Sequence, residues 1–102
     1  RRFFMEMRAP VSSVTVLLPG VLTPRTGGAR AVAVEGETVR EVVASLESAF
    51  PGLRFNLCYE TGELRPFVNI YVNGRNVRSL QGLETPVPTG ATLHILPSVA
   101  GG

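Results

Sequence analysis

Few residues in this chain can do chemistry. Cys58 and His94 each occur once, Asp and Lys are absent, and every basic residue is an arginine. A single cysteine forms no internal disulfide. One cysteine and one histidine fall short of the four ligands of a structural zinc site. Cys58 stands in Asn56-Leu57-Cys58-Tyr59, where apolar neighbours favour a small buried hydrophobe over a nucleophile. His94 has no acid or base companion, so it reads as an exposed strand residue at a partner interface and not as a catalyst. Gly27-Gly28 lacks the lysine and the following helix of a phosphate loop. What remains is the ending, Pro97-Ser98-Val99-Ala100-Gly101-Gly102. Glycine pairs also occur in frayed ends, so the dipeptide takes its meaning from the rest of the chain.

The chain has 102 residues, and apolar residues make up 44% of it. That length fits one domain with one core, and that composition suits a folded chain and not a disordered one. No apolar run approaches the roughly 20 residues of a membrane helix. Residues 1–10 are read as a leader outside the fold, with no signal-peptide pattern, so cytoplasm is the expected location. The formal charge is +2. Arg1, Arg2 and Arg8 against Glu6 account for all of it, and the remainder is neutral. The body therefore has no basic surface for nucleic acid, and neither nucleic acid nor membrane is expected as a partner. Without lysine, the chain cannot build isopeptide chains on itself.

The elements that present this ending follow from local pattern. Val14, Val16 and Leu18 alternate with Ser13, Thr15 and Leu17, which predicts a half-buried strand over 11–18. Pro19-Gly20 breaks it, a turn-rich connection follows, and Ala31 to Val34 should return as the second strand of an antiparallel hairpin. Thr38 followed by Glu41 predicts a capping box. Val39, Val42, Val43, Leu46 and Phe50 then recur at helical spacing, and Pro51-Gly52 ends the helix. Residues 53–66 read as irregular. From 67 to 72, Val68, Ile70 and Val72 form the core face, while Phe67, Asn69 and Tyr71 form the other. Asn73-Gly74 predicts a type I′ hairpin turn, with a short return strand over 75–78. In the last strand, over 91–96, Leu93 and Ile95 face the core, and Thr92, His94 and Leu96 face out beside Tyr71. Pro97, having no N–H, should stop the pairing. Strand, strand, helix, strand, short strand, strand is α+β. The arrangement it predicts is a β-grasp (ubiquitin-like) domain over 11–96, with a mixed four- to five-stranded sheet on one main helix and a flexible tail over 97–102.

Pro24-Arg25-Thr26-Gly27-Gly28, the run from Phe67 to Gly74, and the ending from Leu93 to Gly102 together resemble the MoaD/ThiS family of ubiquitin-like sulfur carriers. Within it they look most like the type that serves a thiocarboxylate route to cysteine. The resemblance covers residues 11–102 and implies a defined chemistry. An E1-like adenylating enzyme uses ATP to activate the terminal carboxylate. Sulfide or a persulfide sulfur displaces AMP, and a second, sulfur-accepting biosynthetic enzyme takes the sulfur. The matching position is Gly102, which ends the sequence, so no protease is expected to be needed.

Elementary chemistry agrees. A carboxylate is a poor electrophile, being anionic at pH 7 with no good leaving group, and a mixed anhydride with AMP supplies one. The chain has no base, metal site or phosphate loop for that step, so it is expected to bind no cofactor and to be a substrate of partner enzymes. Gly101 and Gly102 lack Cβ, so they pass a narrow tunnel. Ser98 lies in the same arm, Val99 and Ala100 add modest apolar contact, and Pro97 separates the arm from the sheet. Phe67, Tyr71, His94 and Leu96 form the candidate docking patch on the outer face of the sheet. Arg25, Arg30, Arg75 and Arg78 are candidates for steering an acidic partner surface, with plain solvated charge as the alternative. Three other functions stay open: a small subunit of molybdopterin synthase, a ubiquitin-like modifier joined to lysines of other proteins, and a β-grasp binding module whose tail is incidental. A β-grasp iron–sulfur protein is excluded, because it needs several cysteines.

Overall fold

The computed structural model describes residues 13–97. Strand β1 is Ser13–Leu17 and β2 is Ala31–Glu35. They pair antiparallel, with Val14 opposite Val34 and Val16 opposite Val32. The connection between them is a 3-10 helical turn, Gly20–Arg25. Strands β3 (Val68–Val72), β4 (Arg75–Asn76) and β5 (Thr92–Pro97) complete a five-stranded sheet in the order β2-β1-β5-β3-β4. β5 lies at its centre, parallel to β1 and antiparallel to β3. This mixed sheet under one main helix is the β-grasp arrangement predicted from the sequence.

Helix α1, Val39–Ala49, forms where the valines and Leu46 recur at helical spacing, and it buries Val39, Val42, Val43 and Leu46. They pack on the inward residues of the sheet, among them Val14, Val16, Ile70, Leu93 and Ile95, each at most 2% exposed. The cap departs from its predicted form at one atom. Thr38 Oγ1 accepts the Glu41 N–H at 3.2 Å, but the Glu41 carboxylate reaches back to the N–H of Glu37, at 2.8 Å, and not to that of Thr38. The first helical N–H, on Val39, is taken by the carbonyl of Thr85 at 3.1 Å, so the 85–87 segment shares the capping. Thr38→Ala should therefore cost about 1 kcal/mol, read as a shift in chemical-denaturation midpoint at constant slope. Gly36 is pressed against the same turn, and a Cβ there would meet Val42 N at 2.7 Å. Gly36→Ala should cost about 1–3 kcal/mol by overpacking, measured the same way.

After α1 the chain is less irregular than its composition predicts. Residues Arg54–Leu57 form a short helix, α2. Glu47 organises the junction. Its carboxylate accepts the N–H of Gly52 at 3.0 Å and that of Arg54 at 3.0 Å, and these bonds hold its pKa below the ordinary value of 4.5. A depressed carboxylate stabilises the fold above its unfolded pKa and loses that effect as pH falls through the folded pKa. Glu47→Gln should thus lower the thermal midpoint at pH 7 and change it little well below the carboxylate range.

The return strand is shorter than the predicted run over 75–78. β4 ends at Asn76, and Val77–Ser79 turns as a 3-10 helix that buries Val77. The largest departure is at Pro97, which does not stop β5 but ends it, opposite Val68. The register explains this. Asn73 N–H donates to the Thr92 carbonyl at 2.9 Å. Bonded pairs alternate along an antiparallel ladder, which leaves Pro97 at a pair that needs no N–H toward β3. On its other side β5 pairs with β1 only as far as His94. The missing N–H has no partner to lose. The expectations for residues 1–10, for Val11 and Ser12 at the start of β1, and for the tail from Ser98 to Gly102 lie outside the described residues. No helix among the described residues is long and apolar enough to cross a membrane.

Candidate docking face and tail root

The outer face of the sheet is built by register. Alternation turns Val16, Leu93 and Val72 toward α1, so their neighbours Leu17, His94 and Tyr71 face away. Leu17 stands opposite Ala31 on one side and beside His94 on the other. His94 in turn stands opposite Tyr71, and Tyr71 opposite Asn76. These pairings make one continuous row across all five strands. Leu96 and Asn69 form the next pair along β5 and β3. Leu96 is 43% exposed, and His94 is also exposed. Asn76 Nδ2 donates to Asn69 Oδ1 at 3.5 Å, which ties the polar edge of the patch together.

The structure thus brings Tyr71, His94 and Leu96 onto one surface. It places Phe67 elsewhere. Phe67 belongs to the turn before β3, where Val68 N–H donates to the Arg65 carbonyl at 3.0 Å. Strand alternation begins at Val68 and cannot be extended back by one residue. Phe67 instead lines a pocket on the helix side with Val21, Leu22 and Leu57. Leu17 takes its place in the outer row. Its outward side is legible in the β1 alternation, but its position beside His94 depends on the parallel β1–β5 pairing.

The arginines also separate. Arg78 Nη2 donates to the carbonyls of Arg65 and Val68 at 2.7 and 2.6 Å, so it fastens the start of β3. Arg30 Nε donates to the Leu18 carbonyl at 3.3 Å. Arg75 and Arg25 are exposed.

Cys58 is 2% exposed, and burial pushes its thiol pKa up against the opposing pull of Arg54, Arg40 and Arg65. A protonated, covered thiol is a poor nucleophile. Alkylation of Cys58 should be slow in the native protein and fast in denaturant, as followed by mass. No group of three or more His, Cys, Asp or Glu among the described residues could hold a metal ion. The arrangement exposes an outer row on the sheet, and β5 ends at Pro97, five residues before Gly102.

Comparison with known proteins bears on what this arrangement serves. Residues 16–102 match the model of the ThiS family. The chain is 42% identical over 92 residues to a protein of Mycobacterium tuberculosis named sulfur carrier protein CysO, covering 88% of this chain and 99% of that one. Among solved structures it is similar to a chain of the Amycolatopsis orientalis BexX/CysO complex, with 45% identity, a TM-score of 0.82, and coverage of 87% of this chain and 99% of that one. It is also similar to the small archaeal modifier protein 1 of Methanosarcina acetivorans, with 33% identity, a TM-score of 0.78, and coverage of 89% and 97%.

Proposed function

We propose, since this chain belongs to the ThiS family of sulfur carriers, that the carboxylate of Gly102 is the group that receives and delivers the sulfur. The chain is a carrier of the CysO/ThiS type and not an enzyme. The observation that carries the reading is a family match over residues 16–102, a range that includes Gly102.

The chemistry divides between carrier and partners. An E1-like enzyme joins the Gly102 carboxylate to the α-phosphate of ATP, and pyrophosphate leaves. Sulfide then attacks the acyl carbon, the bond to the AMP oxygen breaks, and AMP departs with the electron pair. The product is a thiocarboxylate, which a second enzyme consumes in a cysteine-forming or related thiolation. This chain contributes position. The rigid β5 fixes where the arm starts. Glycines at the end allow close approach of enzyme backbone. The row through Leu17, His94 and Tyr71, with Leu96 in the next pair along β5, offers apolar and aromatic docking contact of the kind that dominates interfaces. The related Amycolatopsis chain occurs in a complex, which supports action through a bound partner.

ATP–pyrophosphate exchange tests the first step. A purified E1-like adenylating enzyme should exchange pyrophosphate into ATP only when this chain is added, and background exchange with the chain present would contradict the reading. The likeness to an archaeal modifier protein favours a second reading, attachment of Gly102 to lysines of other proteins. Because Arg78 is the last arginine, tryptic digestion of host lysate should then yield lysines of other proteins bearing the 79–102 peptide as their remnant. Because the chain has no lysine, any such remnant would sit on another protein.

A further inference from the structure

We propose that the open edge of β2 pairs antiparallel with the same edge of a second copy of this chain, joining two five-stranded sheets into one. The inference does not depend on the reading of Gly102. The ladder fixes which groups the edge offers. β2 pairs with β1 on one side and ends the sheet on the other. Leu18 N–H donates to the Arg30 carbonyl at 2.8 Å. Arg30 and, by alternation, Val32 and Val34 therefore turn their backbone groups to β1. The N–H and C=O groups of Ala31, Ala33 and Glu35 point out of the sheet, and no described strand pairs with them.

Folded chains blunt such edges with short strands, proline, lysine or a bulge. The far edge of this sheet uses length, since β4 has only two residues. β2 uses none of these devices. It runs for five residues, contains no proline or lysine, and keeps a one-to-one register with β1 that leaves no bulge. Val32 and Val34 are only partly buried against the core, so apolar surface runs out to the edge.

The register says that the occupant is a second copy. One twofold arrangement pairs the whole of β2 with itself, with Ala33 opposite Ala33 on the axis and Ala31 opposite Glu35 on either side. The outward-pointing groups then face one another, so each of these pairs exchanges two backbone bonds. The Glu35 carbonyl already accepts the Ser45 hydroxyl, and its second lone pair remains for the copy. On the helix side Val32 meets the copy's Val34, a β-branched cross-strand pair. On the outer face Ala31 and Ala33 are small, and no like charges stand opposite one another. Arg30, whose Nε bonds the Leu18 carbonyl at 3.3 Å, falls opposite the copy's Gly36, between Glu35 and Glu37. Unlike charges therefore lie together at both ends of the paired strands. β5 lies two strands in from this edge, so pairing leaves the outer residues His94, Tyr71 and Leu96 uncovered.

Sedimentation equilibrium of the full chain, from about 10 µM to about 1 mM, tests the pairing. One strand makes a small interface, so association is weak and depends on concentration. The average mass should rise from one chain toward two. Residue 33 meets itself on the axis, so Ala33→Glu and Ala33→Lys should each weaken pairing about fivefold by setting like charges opposite. An equimolar mixture of the two should restore it. Ala33 is exposed, so thermal midpoints should hold. Hydrogen exchange needs no variant: the amides of Ala31, Ala33 and Glu35 should slow as concentration rises. A single-chain mass throughout overturns the proposal, as does a mixture that pairs no better than either variant alone. Pairing lost in Leu96→Arg but kept in Ala33→Glu would place the contact on the outer face and overturn it. Protection of the Ala31 and Ala33 amides that ignores concentration would mean that another segment of the same chain covers the edge, which also overturns it.

Discussion

A chain lacking Gly102 should keep its thermal midpoint and take up no sulfur. The first half follows from the fold. The five-stranded sheet and the core cluster are complete within 13–97, so the fold is assembled five residues before Gly102. The second half follows from geometry. Deletion leaves a carboxylate, now on Gly101, but withdraws it by about 3.5 Å along the arm. Because the root is anchored at Pro97 opposite Val68, an enzyme docked on the sheet cannot advance to recover that distance without giving up its contacts. Misplacement by about 1 Å can already cost two orders of magnitude in rate. The expected loss in exchange is therefore at least a hundredfold, below detection in most assays. Sulfur loading of the shortened chain at the wild-type rate would refute Gly102 as the reacting residue.

Leu96→Arg should weaken docking of the activating enzyme about thirtyfold and leave the free protein nearly as stable as before. Leu96 is 43% exposed and turned away from α1, so no core contact is lost, and the aliphatic stem of arginine can lie along the same surface with its charge in water. Surface changes of this kind usually stay within about 0.5 kcal/mol. In the complex the guanidinium would be covered without an acidic partner, and an unpaired buried charge is strongly unfavourable. Tyr71→Ala is the companion test. Tyr71 is half-buried between His94 and Asn76, so its removal costs some stability as well. The informative quantity is the ratio of affinity lost to stability lost. Equal losses at both positions would make the row a structural feature of the sheet and not a docking face.

What could be read from the sequence depended on how local its cause was. Asn73-Gly74 forms the predicted turn because positive φ, 50° and 87° here, is written into those two residue types. Thr38 caps α1, and Val68, Ile70 and Val72 turn inward, each through a pattern within a few residues. The misread positions depend on distant partners. α2 spans four residues, too few to show a helical period. Pro97 stays in β5 because its missing N–H falls at an unbonded register position beside an unpaired stretch, a fact set by Asn73 and by where β1 stops. Phe67 left the outer row because Val68 N–H bonds back to Arg65, which starts the strand one residue later than alternation alone predicts. The pocket that Phe67 lines arises where the 20–25 turn meets α2, and no sequence pattern announces that meeting. The tail from Ser98 lies outside the described residues; the chemistry proposed for it is intrinsic to glycine and a carboxylate, and the matched family range includes Gly102.

The most direct measurement is the intact mass of the protein isolated from its native host under non-reducing, thiol-free conditions, with fragmentation to place any change. A fraction of the molecules should carry one oxygen replaced by sulfur at the C-terminal glycine, and alkylation should label that site as well as the slow, buried Cys58. Only the plain carboxylate, both in the isolated protein and after incubation with an adenylating enzyme, ATP and sulfide, would contradict the carrier role of Gly102.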